Sequence, residues 1–331
     1  MENPVLAEVT RGNVVESRHR GAAIVVDADG GVVFSAGEVG RPVFPRSAVK
    51  AIQALPLIES GAADRYGLTE AEIALSVSSH SGEPRHVETA LAMLRKAGRD
   101  AGCLECGAHW PIGEPAARAL AKSGAEPGAL NNNCSGKHAG FVCLSCALDE
   151  DPAGYVKPAH PVQQAVRGAL EAVTGAAHGP ERMGIDGCSI PTYAVPLPAL
   201  ALGFARLGTG HGLPPERAKA AALIRAAVAA HPFIVAGTDR YDTRLMGVLG
   251  RRAFTKTGAE GVYCAALPEL GLGLAVKCDD GAGRAAEVAI GALIARFLPM
   301  DEATRAAFAP LSEAVLRNWN GIEVGRVRAP G

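Results

Sequence analysis

The stretch Phe44-Pro45-Arg46-Ser47-Ala48-Val49-Lys50 sets the reading of this chain. A helix is expected to begin there, and residues three apart on a helix share a face. The tetrad Ser47 to Lys50 therefore sets an amine beside a hydroxyl, the arrangement of a Ser–Lys nucleophilic site. A serine hydroxyl needs a base, and a lysine whose charge is disfavoured by burial can act as one. The motif is short. With 13 serines and 8 lysines in 331 residues, roughly 0.3 such matches arise by chance. A helix-capping serine followed by a solvated lysine reads the same way, so the rest of the chain has to decide.

The length suits one large domain or two medium ones. With 48% hydrophobic and 20% charged residues, the chain can bury a sizeable core. The net charge of −1, without a basic cluster, argues against nucleic acid as a partner. The apolar run Ala218–Ala230 is broken by Lys219 and Arg225 and ends at His231-Pro232, which reads as a helix of a soluble protein and not as a membrane span. Met1–Val9 lacks the basic and apolar regions of a signal peptide. A cytoplasmic location is expected, with the eight cysteines as thiols or metal ligands. Arginines outnumber lysines 25 to 8. Lysines that persist are candidates for work that arginine, always protonated, cannot do.

Strands are expected at Ala22–Val26 and Val32–Ser35 around the turn Asp27-Ala28-Asp29-Gly30-Gly31, and again at Gly261–Ala265, Leu272–Lys277 and near Ile322–Val327. Helical periodicity fills the middle, starting with one helix over Ser47–Glu59 and another opened by a Thr69/Glu72 capping box. Strands at both ends with helices between predict an α+β fold, in which the terminal segments share one antiparallel sheet and the helices form an inserted layer or subdomain.

Three further segments add chemistry. Lys256-Thr257-Gly258 precedes the apolar strand Val262-Tyr263-Cys264-Ala265. A K-T-G on an edge strand, after an S-x-x-K, resembles penicillin-binding proteins and serine β-lactamases, and Ser79 or Ser81 of Ser78-Ser79-His80-Ser81-Gly82 stands where those proteins keep an intervening serine. Asn131-Asn132-Asn133-Cys134-Ser135-Gly136-Lys137-His138 is a polar loop opening a helix, suited to carboxylates or developing anions. Ile185-Asp186-Gly187-Cys188 sets an acid and a thiol in a tight segment. Two thiols and an amine from these loops could hold a cation such as zinc, or be two buried cysteines and a helix-end lysine. The pairs Cys103/Cys106 and Cys143/Cys146 mimic a four-thiolate zinc site, but Cys143 and Cys146 fall in a helical apolar run where thiols pack as small hydrophobes.

Taken together, these segments resemble the bacterial asparaginase II family, the Rhizobium-type third class of L-asparaginases. Arg18-His19-Arg20-Gly21, Glu105-Cys106-Gly107-Ala108-His109-Trp110-Pro111 and Thr255-Lys256-Thr257-Gly258-Ala259-Glu260-Gly261 carry the likeness too, and it runs essentially end to end. The chain thus reads as one such domain over 1–331; whether it has two lobes is left open, and no boundary is marked. The resemblance implies a serine β-lactamase-like fold and a homodimer. It implies two Ser–Lys pairs, Ser47 with Lys50 and Ser79 with Lys256. It also implies a zinc ion on Cys134, Lys137 and Cys188, close to Asp186, which assists substrate binding. Ser189 stands where the resemblance leads one to expect a glycine.

The reaction expected is hydrolysis of L-asparagine, with Ser47 as nucleophile, Lys50 as base, and Arg46, Asn133, His138 and Asp186 as candidates for substrate contacts. A β-lactamase-like hydrolase of another amide or lactam shares the Ser–Lys chemistry. A non-catalytic zinc-binding interaction protein would leave the Ser–Lys pairs without a purpose.

Overall fold

The computed structural model describes residues 2–330. Strands open and close the chain: β1 (Val5–Arg11), β2 (Val14–Asp27) and β3 (Val32–Ala36), then β4 (Phe254–Thr257), β5 (Val262–Leu267), β6 (Leu272–Cys278), β7 (Glu313–Arg317) and β8 (Glu323–Arg328). They form one antiparallel sheet in the order β7-β8-β1-β2-β6-β5-β4, with β3 also beside β2. The fold is α+β, and its terminal segments do share one sheet.

The long strand β2 serves two sets of partners, and its sequence says where it changes. Val14–Arg20 alternates polar and apolar residues and pairs with β1. Gly21–Asp27 pairs with β6, from Gly21 opposite Cys278 to Asp27 opposite Leu272. Ala22–Val26 is unbroken apolar and buried on both faces, the pattern of a strand covered on each side. Fully burying Ile24, Val25 or Val26 contributes about 1.5–3 kcal/mol each. The helix Leu197–Thr209 packs on β2, β5 and β6, and the helix Gly283–Phe297 packs on β1, β5, β6 and β8. A Cβ at Gly273 of β6 would lie 1.9 Å from the Ala201 carbonyl oxygen, so only glycine lets the first helix sit this close.

The chain divides into two compact units. One holds the sheet and takes residues through Ala48, Ala194–Gly212 and Arg244 onward; the other takes Val49–Tyr193 and Leu213–Thr243. The second is built round the helix Ser135–Ala147, buried from Ser135 to Ser145 and packed by Leu55–Glu59, Glu70–Ser76, Pro84–Lys96 and Pro161–Thr174. The Thr69/Glu72 capping box forms as expected, with the Glu72 N–H donating to Thr69 Oγ1 and the Thr69 N–H donating to Glu72 Oε2.

One expectation needs correction. Ser47–Glu59 is not one helix but a 3-10 turn (Arg46–Val49) and two short helices (Lys50–Gln53 and Leu55–Glu59). Pro56 has no N–H to continue the backbone ladder, which breaks it there. The helix Leu197–Thr209 was not among the expected elements, because even its less buried face, with Pro198, Ala199 and Leu202, is largely apolar.

Candidate active site

Pro45 leads into Arg46, whose φ of 52° lies in the left-handed region. That conformation costs a non-glycine residue about 1–2 kcal/mol, and strain of this kind concentrates at functional sites. The strained residue places Ser47, half-buried, in the first 3-10 turn. Lys256 lies on β4, the last strand of the sheet order, fully buried and opposite Cys264. The K-T-G is therefore on a sheet edge, as its sequence suggested. A Cβ at Gly258 would lie 2.5 Å from the Pro45 carbonyl oxygen. The end of the K-T-G thus rests directly against the segment that delivers Ser47.

The other unit holds the remaining candidates. Lys50 begins the helix Lys50–Gln53 and is 1% exposed. Its Nζ lies within hydrogen-bond reach of the Ser78 carbonyl, of Ser79 Oγ at 3.0 Å and of Cys134 Sγ at 3.1 Å. Burial pushes its pKa down, opposed by the Cys134 thiolate and reinforced by the Lys137 charge. Of the two serines left open by the sequence, Ser79 meets Lys50, whereas Ser81 Oγ donates to the Ala236 carbonyl at 2.9 Å.

Lys137 Nζ lies 3.1 Å from Cys188 Sγ. Burial disfavours its charge, but Cys188, Cys134 and Asp186 outweigh that and hold its pKa above the ordinary value. Cys134 is held well below the usual thiol range by the Cys188 S–H, against the pull of burial, and further by Lys50 and Lys137. Cys188 is pushed up by that same hydrogen bond and by burial. Between these two thiols, negative charge is favoured on Cys134 over Cys188. Cys188 sits at the tip of the hairpin Met183–Ile185/Pro191–Tyr193, closed by the Asp186 N–H on the Ile190 carbonyl at 2.8 Å. Ser189, where glycine was expected, has φ 76°, a left-handed position that glycine adopts without strain.

Two thiols and an amine match the donor preferences of zinc, and a thiolate is the form in which a cysteine binds it. Among the described residues no group of three or more His, Cys, Asp or Glu side chains could hold a metal ion. A metal at this place would need the Lys137 amine as its third donor. Cys143, buried in its helix, directs its S–H to the Met93 carbonyl, and burial raises its pKa to about 12.

Sequence reasoning passed over several residues that shape the site. Asn132, buried, donates to the Cys106 and Gly107 carbonyls and accepts from the Cys134 N–H at 2.9 Å, fixing the loop ahead of Cys134. His80 accepts from the Gly82 N–H on Nδ1, so its Nε2–H donates to Ser135 Oγ at 2.9 Å. Burial, helped by His86 and Lys50, keeps it neutral. His109 Nε2 accepts from the Asn133 N–H at 2.9 Å. His138, expected to touch substrate, takes the Tyr155 hydroxyl on Nδ1 at 2.6 Å, while its buried Nε2 has no partner among the described residues. The polar run from Asn131 was the available signal, since buried amides and imidazoles need partners.

A model of the L-asparaginase II family matches residues 7–329. The chain belongs to the L-asparaginase II family. This membership makes it an asparaginase-type amidohydrolase. No curated protein matches it. Solved structures similar to this family member include a β-lactamase from Mycobacterium bovis, 14% identical over 84% of this chain and 95% of that one, with a TM-score of 0.41. A candidate β-lactamase from Bacteroides dorei is 15% identical over 78% and 84% of the two chains, also with a TM-score of 0.41. Mglu in its native form is 17% identical over 86% of this chain and 66% of its own, again with a TM-score of 0.41. These likenesses are distant. The α+β assignment stands on the sheet order itself. Among the described residues no helix is long and apolar enough to cross a membrane.

Proposed function

We propose that the protein hydrolyses L-asparagine to L-aspartate and ammonia at a Ser–Lys site. The observation that carries this reading is the Lys50 amine, buried, lowered in pKa and hydrogen-bonded to Ser79 Oγ at 3.0 Å, in a member of the L-asparaginase II family. Ser47 attacks the side-chain amide carbon, and neutral Lys50, three residues further along the chain, takes its proton. The proton passes to the leaving nitrogen and ammonia departs. Water then cleaves the β-aspartyl ester and frees Ser47. Ser79, held by Lys50, relays protons or positions the amide, and Lys256 sets the charge around Ser79. Asn133, Asp186, Arg46 and His138 are the candidates for holding the amino acid.

Cys134, Lys137 and Cys188 are the residues that would hold a zinc ion. When bound, zinc would supply a fixed positive charge that assists substrate binding. Lys137 would have to lose its proton to act as a ligand, so occupancy should fall as the pH drops. We also propose a homodimer and a cytoplasmic location; all eight cysteines are free thiols, which suits a reducing compartment.

Glutamine differs from asparagine by one methylene, which a pocket rejects by only about 1–3 kcal/mol, so weak glutaminase activity is expected. The test is ammonia release from both amides by the purified protein and by Ser47→Ala. Release from asparagine that disappears in the variant supports the reading. Near-normal turnover in the variant removes Ser47 as nucleophile. Acylation of Ser47 by a labelled penicillin, without ammonia release from either amide, would move the substrate to lactams.

A further inference from the structure

The motif Arg18-His19-Arg20-Gly21 and the lysine at 277 have no part in the reaction set out above, yet both bear on the K-T-G strand. The turn from β4 to β5 holds two consecutive left-handed residues, Glu260 at φ 56° and Gly261 at φ 68°. Glycine takes this conformation freely, whereas a glutamate does so at a cost and keeps it only where its surroundings hold it there. Lys277 of β6 does the holding. Its Nζ donates to the Glu260 carbonyl and to the Cys278 carbonyl, each at 2.6 Å. The Cys278 N–H donates to the Gly261 carbonyl at 2.9 Å. A compact amine fits between two carbonyls better than a planar guanidinium, which gives this arginine-rich chain a reason to keep a lysine here.

The far side of this clamp is itself anchored. The Asp279 carboxylate accepts from Asn3 Nδ2 and from Arg41 Nη2, each at 2.9 Å, and the Asp279 N–H donates to the Arg20 carbonyl at 2.8 Å. His19, buried, accepts from Arg284 Nε on its Nε2 at 3.2 Å, because a guanidinium only donates. Its Nδ1–H therefore donates to Asp280 Oδ2, at 2.5 Å. The Arg18–Gly21 motif thus helps to build a fixed post, and Lys277 ties the turn to it.

We infer that Lys277 is a positioning residue of the active site: it pins the turn that follows the K-T-G and so fixes where Gly258 meets the segment carrying Ser47. The line of contacts is short. The Gly258 N–H donates to the Val262 carbonyl at 2.8 Å and the Val262 N–H to the Ala259 carbonyl at 3.3 Å, so the turn moves as one piece. Gly258 rests against the Pro45 carbonyl. That carbonyl accepts from the Ala48 N–H at 3.1 Å, across the 3-10 turn that holds Ser47. All of these residues belong to the sheet-bearing unit. The consequence for turnover rests on the reading of Ser47 as nucleophile; the consequence for the two backbone segments does not.

The test compares Lys277→Met, which keeps a long stem and removes the donors, with Lys277→Arg, which restores donors on a bulkier group. Hydrogen exchange of the full chain is followed by mass spectrometry in segments 257–262 and 44–49. Lys277→Met should speed exchange about tenfold or more in both segments and leave the helix Leu197–Thr209 at the parental rate. In ammonia release from asparagine, its kcat per folded molecule should fall about 10–100-fold, with KM within about threefold of the parent. Lys277→Arg should fall between the parent and Lys277→Met in both readouts. A lysine that serves stability alone would lower the unfolding midpoint and leave kcat per folded molecule unchanged. Should Lys277→Met not fold, Lys277→Gln, with one donor group on a shorter stem, serves the same comparison. Parental exchange at 44–49, or faster exchange there with a parental kcat, would overturn the inference. A parent that releases no ammonia, with exchange altered as expected, would remove the reaction and leave the clamp.

Discussion

Replacing Lys50 with arginine separates positive charge from basicity. Arginine keeps the charge but does not shed its proton, so Lys50→Arg should lower kcat by about 10²–10⁴, the usual contribution of general base catalysis. KM for asparagine should change far less. Steady-state ammonia release checks this, and a kcat within about tenfold of the parent would remove Lys50 as the base. Ser189 allows a prediction of the opposite sign. Its left-handed backbone, at φ 76°, makes Ser189→Gly relieve strain, for a gain of up to about 1 kcal/mol in urea unfolding. Unchanged or lower stability would mean that the unfolded-state entropy of glycine cancels the relief. The residues of the site were legible in the sequence to different degrees. Ser47, Lys50 and Lys256 announce themselves through short motifs that place chemistry at fixed spacing. Asn132 and His80 do not, because their roles consist of hydrogen bonds to backbone and to Ser135 that only the folded loop defines.

At the level of elements, the edge strand β4 and the segment ahead of Ser47 form one small assembly. Gly258 is its hinge point, since a Cβ there would meet the Pro45 carbonyl at 2.5 Å. Gly258→Ala should push the two segments apart, destabilising the fold by about 1–3 kcal/mol, as overpacking does. It should also reduce kcat by up to about 10²-fold, because a displacement near 1 Å is enough to misalign a nucleophile. Unfolding and ammonia release measured together separate the two effects. A variant with parental stability and parental kcat would show that the close approach is not needed. The K-T-G strand was readable because its motif precedes an apolar run. The helix Leu197–Thr209 was not, because its less buried face carries Pro198, Ala199 and Leu202 and gives little polar contrast. Pro56 was visible all along, and the break it makes in Ser47–Glu59 follows from its missing N–H.

For the whole molecule, buried neutral imidazoles set an acid limit. Burial lowers the pKa of His80 well below its ordinary value of 6.5, and His86, stacked on it at 4.8 Å, is lowered by burial as well. The unfolded chain takes up protons at these residues near pH 6.5, and the native state does so only further into acid. Stability is therefore full above the unfolded value. It falls as the pH drops below it, by up to about 1.4 kcal/mol per pH unit for each histidine, until the native value is passed. Urea midpoints should stay level from about pH 8 to about pH 6.5 and decline on this slope toward pH 5, and His86→Phe should flatten the decline. An unchanged slope in that variant would assign the acid loss to other groups. The general architecture, with strands at both ends and helices between, was legible because it depends on periodicity. The division at Ala48–Val49, between Ser47 and Lys50, was not, because no linker or change of composition marks it. The double allegiance of β2 has one more consequence. Its second half finds its partner, β6, only about 245 residues further along the chain, which at ribosomal speeds is about 12–50 s of synthesis. Throughout that interval the sticky Ala22–Val26 segment of the nascent polypeptide has no β6 to join, which makes it the natural place for a chaperone to hold during translation.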